Sequence, residues 1–271
     1  AVPQTTLGYE KRFNWAFGMT DESEFVHAVL AGQPEPPRYF AEMKRVNQSG
    51  PSLLGGFRRP PRLPLETLAG MLERGAPVVD TRKVPEFVSG AIPGTINIPV
   101  NRTFTTWAGS LLPYDRDFYL IIDDRRGQRV DELVRDLAGI GLDRLAGYFS
   151  TDSIEAWRTT QGRLQSIPTL TLAQVSSQLL ANGVTLLDVR REGEWKSGHL
   201  PGALNVPVGS LDERVNEIPP DRPVIVHCQS GARAAMAASL LRARGFTDVR
   251  YFPGGFAEWR LAGLPAKVET A

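Results

Sequence analysis

Short apolar runs alternate with segments of helical periodicity along most of the chain. Val78-Val79-Asp80, Leu120 to Ile122, Leu186-Leu187-Asp188 and Val224 to His227 are of strand length, and Thr95 to Ile98, Ala203 to Val206 and Val249 to Phe252 read as further short strands. Between them, apolar residues recur at helical spacing over Leu65 to Arg74, Arg129 to Ala138, Thr171 to Ala181 and Ala232 to Arg244. Pro64 and Thr171 stand near two of the helix starts, with Gly75 and Gly183 just past the ends, as helix termini prefer. Short apolar strands separated by helices predict an α/β fold with a central, mostly parallel sheet flanked by helices. The first 58 residues differ. Glu22 to Leu30 predicts a short helix with Phe25, Ala28 and Val29 inward, and the breaker-rich Gly32-Gln33-Pro34-Glu35-Pro36-Pro37 ends it. Their aromatic and Pro content predicts an irregular or helical segment packed on something else.

The alternating region is an internal repeat. Val78-Val79-Asp80-Thr81-Arg82 returns 108 positions later as Leu186-Leu187-Asp188-Val189-Arg190, and the same offset pairs Glu86 with Glu194, Gly90 with Gly198, Pro93-Gly94 with Pro201-Gly202, and Asn97 with Asn205. After a variable stretch, Ile121 to Arg129 matches Ile225 to Arg233 at an offset of 104. A repeat of about 100 residues is a duplicated globular domain and not a solenoid.

Composition narrows the partners. With 31 Lys and Arg against 30 Asp and Glu, a formal net charge of +1 offers no sequence-wide field for nucleic acid or an anionic membrane. No apolar run approaches the length that spans a bilayer, and no signal-peptide pattern opens the chain, so the expected location is cytoplasmic. Cys228 is the single cysteine, and His27, His199 and His227 are the three histidines. That set predicts no disulfide, no metal and no cofactor.

The lone thiol stands where chemistry is easiest to build. Strand Val224 to His227 delivers Cys228 to the loop Gln229-Ser230-Gly231-Ala232-Arg233, and an Ala-rich helix follows at once. Successive loop N–H groups, the positive end of the helix and Arg233 converge on one point, and all favour a thiolate over a thiol. Arg233 lies five positions after Cys228, whereas the phosphatase pattern needs Arg at the sixth, which is Ala234. A tighter ring of donors suits the terminal sulfur of a persulfide better than a tetrahedral phosphoryl group.

Together with Asp188-Val-Arg190, Glu194, Gly198-His199-Leu200-Pro201-Gly202-Ala203 and Asn205-Val206-Pro207, the loop resembles the rhodanese family from Ile167 to about Pro265. The resemblance implies a sulfurtransferase working through a Cys228 persulfide, taking sulfane sulfur from thiosulfate or a persulfide donor and passing it to glutathione, cyanide or another thiophile. It makes Cys228 and Arg233 catalytic and Gln229, Ser230, Gly231 and Ala232 the substrate-binding loop. Asp188, Arg190, His199 and His227 read as supporting residues: a structural ion pair, a loop-orienting imidazole and a packed imidazole beside the thiol. Trp259 reads as an anchor for the last helix.

The first copy keeps Asp80, Arg82, Gly90, Pro93 and Gly94 but has Asp124 at the cysteine position and Ala91 at that of His199. A carboxylate cannot carry a persulfide, so Asp124 and Arg129 mark a degenerate site. Upstream, Thr5 to Asn14, Glu24-Phe25-Val26 and Pro36 to Lys44 resemble the C-terminal tail of a metallo-β-lactamase-fold persulfide dioxygenase, a class often fused to rhodanese domains. The His-x-His-x-Asp-His metal motif does not occur, so neither iron nor dioxygenase activity carries over. The expected organisation is an incomplete metallo-β-lactamase-like tail at 1–58, an inactive rhodanese-like domain at 59–163 and an active one at 166–271, as part of such a fusion. The expected partners are thiosulfate, sulfite, glutathione persulfide or other small thiols, and a persulfide dioxygenase domain. The rival readings are a phosphatase or arsenate reductase of similar fold, and a non-catalytic scaffold in a sulfide-oxidising assembly.

Overall fold

The computed structural model describes residues 4–31, 33, 36–37, 39–51, 55–125 and 128–269. Gly32, Pro34 and Glu35 of the breaker segment, Arg38 of the tail motif, and Arg126 and Gly127 of the first-copy loop lie outside the described residues. The chain divides into two compact units, Ala1–Glu35 and Pro36–Ala271.

In the first unit, helix α1 (Leu7–Phe13) starts at Thr6, whose hydroxyl accepts from the Tyr9 N–H, and α2 (Glu22–Leu30) starts at Asp21, whose carboxylate accepts from Glu24. The expected inward face is not found: Phe25 and Val29 remain 37% and 38% exposed, and neither helix has a buried residue. Thirty-odd residues cannot enclose a core of their own.

The second unit holds both repeats. It opens with α3 (Tyr39–Ser49) and α4 (Glu66–Glu73), followed by β1 (Val78–Asp80), α5 (Val84–Ser89), β2 (Ile96–Asn97), α6 (Phe104–Leu111), β3 (Phe118–Ile122), α7 (Gln128–Ala138), β4 (Leu145–Ser150) and α8 (Asp152–Thr160). The second copy runs through α9 (Leu172–Leu180), β5 (Thr185–Asp188), α10 (Glu192–Lys196), β6 (Leu204–Asn205), β7 (Val224–His227), α11 (Ala232–Ala243), β8 (Val249–Tyr251) and α12 (Gly255–Leu261). Among the described residues the strands form two parallel sheets of the same order, β2-β1-β3-β4 and β6-β5-β7-β8. The register repeats too, with Asp80 opposite Asn97 and Asp188 opposite Asn205.

Two boundaries bear on the sequence reading. The compact units divide at 35/36, which groups α3 with the repeats, and α3 lies close to the first of them: a Cβ on Gly109 would stand 3.0 Å from the Tyr39 ring. After α9 the left-handed residue is Asn182 (φ 54°) rather than Gly183, an exchange that Asn tolerates.

Helix α11 fastens the two copies together. Ala234 to Ala238, Leu240 and Leu241 are all buried, which is the signature of an interior helix. One apolar cluster accordingly joins Val79, Ile98 and Phe104 of the first copy to Val226, Ala234 and Leu241 of the second, and the Asn97 N–H donates to the Ser239 hydroxyl at 2.9 Å. Among the described residues no helix is long and apolar enough to cross a membrane.

Candidate functional site

Strand β7, buried along its whole length between β5 and β8, ends at His227 and places Cys228 at the carboxyl edge of the sheet. That edge is where open parallel sheets bind ligands. The chain then turns through Gln229 and Ser230, both exposed, to Gly231, which precedes the first turn of α11. Gly231 has φ +91°, and a Cβ there would lie 2.5 Å from the Tyr251 hydroxyl, so both the turn and the packing require glycine. Its N–H points at the sulfur of Cys228 with a donor distance of 3.1 Å. The thiol itself is 1% exposed.

The loop is braced from behind by the start of α12. The Cys228 carbonyl accepts from the Phe256 N–H at 2.8 Å and the Gln229 carbonyl from Ala257 at 3.1 Å. Gly255 makes this approach possible, since it has φ +57° and a Cβ would overlap the Cys228 carbonyl. Gly254 and Gly255 carry no signal in the repeat, because Thr151-Asp152-Ser153, without a glycine, leads from β4 into α8 in the first copy.

Arg233 does not stand free beside the loop. Its two terminal nitrogens donate to the two carboxylate oxygens of Glu194 at 2.6 and 2.8 Å. The pairing holds the Glu194 carboxyl below the ordinary range and raises Arg233 further. In the sequence Glu194 stands out only as the counterpart of Glu86 and as part of the family motif; in the structure it is the group that holds Arg233. Tyr251 is pushed up to about 12 by burial and by the neighbouring Cys228 charge.

The supporting residues form a second layer. Arg190 donates to both oxygens of Asp188 and to the Gly198 carbonyl, both partners of the pair being almost wholly buried, and its guanidinium lies 4.1 Å over the Phe256 ring. Asn205 ties the Asp188 and Arg190 carbonyls together. His199 stacks on Trp195 at 3.9 Å, with Nδ1 at 2.9 Å from the Trp195 carbonyl, which fits an orienting role. His227 is fully buried; its Nε2 has no hydrogen bond among the described residues and faces Asp188 at 3.8 Å. Burial pushes its imidazole below the usual value, with the Asp188 carboxylate opposing. Trp259 is buried and donates to the Pro265 carbonyl.

The first copy reproduces this scaffold without the thiol. Arg82 chelates Asp80 and reaches the Gly90 carbonyl, and Asn97 binds the Asp80 and Arg82 carbonyls. Asp124 turns to the Ser150 hydroxyl at 2.9 Å and faces Arg62 at 3.3 Å. Arg129 is exposed. Among the described residues no three His, Cys, Asp or Glu side chains gather as metal ligands.

A parallel sheet whose central strand ends at a short loop before a helix defines an α/β domain, present here in two copies of which the second carries the cysteine. The chain belongs to the family of the rhodanese-like domain, whose model matches residues 64–159 and again 171–262. It is 40% identical to a sulfurtransferase of Allochromatium vinosum over 91 residues, 33% of this chain and 85% of that one. It is 32% identical to the thiosulfate:glutathione sulfurtransferase of Homo sapiens over 106 residues, 34% of this chain and 92% of that one. A crystal structure described as a metallo-beta-lactamase from Staphylococcus aureus is similar at a TM-score of 0.43 and 35% identity, over 55% of this chain and 41% of that one. The chain spans about half the length of two further curated relatives, 43% and 59%.

Proposed function

We propose that the second copy is a sulfurtransferase in sulfide or persulfide metabolism, working through a Cys228 persulfide. The observation that carries this reading is the Gly231 N–H aimed at the Cys228 sulfur inside a loop closed by Arg233. The sulfurtransferase relatives support the reaction class. The Cys228 thiolate attacks the sulfane sulfur of thiosulfate; the sulfur–sulfur bond of the donor breaks, and sulfite leaves with the electron pair. With a persulfide donor, such as glutathione persulfide, the leaving group is a thiolate. A second thiolate or cyanide then attacks the outer sulfur and frees Cys228. Loop amides, the start of α11 and Arg233 stabilise the anions at each stage. Gln229, Ser230 and Ala232 form the exposed rim over which donor and acceptor enter.

The spacing of Cys228 and Arg233 weighs against phosphoryl or arsenate chemistry, and the thiol weighs against a purely scaffolding role for this copy. Steady-state transfer from thiosulfate to cyanide tests the assignment. It should be abolished in Cys228→Ser, and activity surviving there would overturn it. The compartment this reading expects is the cytoplasm, where a nucleophilic thiol is kept reduced.

The organisation we propose is an inactive rhodanese-like copy at 59–163, an active one at 166–271, and at 1–58 the tail of a metallo-β-lactamase-like persulfide dioxygenase domain. Leu7, Tyr9, Phe13, Trp15 and Phe17 are each more than half exposed, and so many adjacent apolar side chains imply a partner surface. Limited proteolysis should remove much of the first 35 residues without loss of transfer; loss of folding on their deletion would refute the tail reading.

A further inference from the structure

The first copy has lost its nucleophile but kept a cleft. Where β1, β3 and β4 end side by side, Thr81, Asp123 and Thr151 rim a cavity of about 350 Å³ that Lys83, Glu86 and Arg129 also line. This is the crevice outside the strand ends that parallel sheets use for ligands.

The charges around it do not cancel. Arg82 is committed to Asp80, Arg125 holds Asp123 with both groups, and Asp124 faces Ser150 and Arg62. Among the described residues, Lys83 and Arg129 form no ion pair, and Arg129 acts only at longer range on Asp123, whose carboxylate Arg125 already holds. Glu86 accepts from the Lys83 backbone N–H at 3.2 Å, but it does not clamp Arg129 as its counterpart Glu194 clamps Arg233. The Thr151 side chain, half-buried at the rim, makes no hydrogen bond among the described residues.

We propose that this cleft binds a small, doubly charged oxyanion of the thiosulfate or sulfite type without transforming it. Lys83 and Arg129 would supply charge-assisted hydrogen bonds. Asp124, turned away and unable to accept sulfur, leaves no group to react. The inference rests on the first copy alone and does not depend on the sulfurtransferase reading of the second.

The test is calorimetric titration of sulfate and thiosulfate into the full chain carrying Cys228→Ser, which removes turnover. A saturable isotherm is expected for both anions, with Kd raised about tenfold or more by Lys83→Ala with Arg129→Ala. Backbone amide shifts on sulfate addition should include residues 81–83 and 151, and these should be lost in the Lys83→Ala, Arg129→Ala double variant while any shifts in the Cys228 loop remain. No binding, a Kd unmoved by the double substitution, or amide shifts confined to residues 228–233 would overturn the proposal. Failure of the sulfurtransferase reading would show separately, as absence of transfer in the unsubstituted chain.

Discussion

Glu194 and Arg233, thirty-nine residues apart, meet in a two-pronged ion pair with distances of 2.6 and 2.8 Å. Glu194 sits on α10 and Arg233 on α11, so the pair ties the entrance side of the second copy to the thiol loop. Glu194→Ala should raise the KM for thiosulfate about tenfold, the scale of one hydrogen bond to a charged group. Glu194→Gln should fall between that variant and the parent. Steady-state kinetics with thiosulfate as the varied donor checks this, and an unmoved KM would show that Arg233 needs no partner.

Gly255 is a second sensitive point. Its φ of +57° and its approach to the Cys228 carbonyl leave no room for a side chain. Gly255→Ala should destabilise the protein by about 1–3 kcal/mol and slow transfer together, because backbone strain there moves the loop itself. Urea denaturation read alongside activity checks the coupling; full stability with normal activity would contradict the bracing role of α12.

The pH dependence of stability should carry the mark of His227. Burial lowers its imidazole pKa, so the folded state binds fewer protons than the unfolded state once the pH falls below about 6.5. Stability is therefore full above that value and declines as the pH drops toward the folded pKa. His227→Asn should flatten this part of the melting-temperature profile, and an unchanged slope would assign it to other groups.

The repeat made most of this architecture readable from sequence. An offset of 108 residues locates Asp80, Arg82 and Asn97 beside their counterparts Asp188, Arg190 and Asn205, and the hydrogen bonds repeat one for one. Cys228 and its loop were legible because a strand end, a glycine and a helix start fall together in five residues. Helix α6 was not, since Phe104–Leu111 has no counterpart to align with and carries Gly109 and Ser110 within it. Strand β4 was hidden by Leu145-Ala146-Gly147, a weak strand opening. The clamp on Arg233 and the glycine behind Cys228 depend on tertiary approach, which spacing along the chain does not encode.

Asp124→Cys should not create a second transfer site. Asp124 points to Ser150 and Arg62, and no glycine pair follows β4 as Gly254-Gly255 follows β8 to bring the next helix close. Mass analysis of peptides after thiosulfate treatment of Cys228→Ser with Asp124→Cys should find no sulfur on residue 124. Loading there at a rate comparable with Cys228 would mean that only the nucleophile had been lost.

The central claim is that Cys228 carries sulfur covalently, and the most direct measurement is the intact mass of the full chain after thiosulfate, before and after cyanide. The account predicts a gain of one sulfur atom, mapped to Cys228, released by cyanide and absent in Cys228→Ser. An unchanged mass, or a gain that persists in Cys228→Ser, would contradict it.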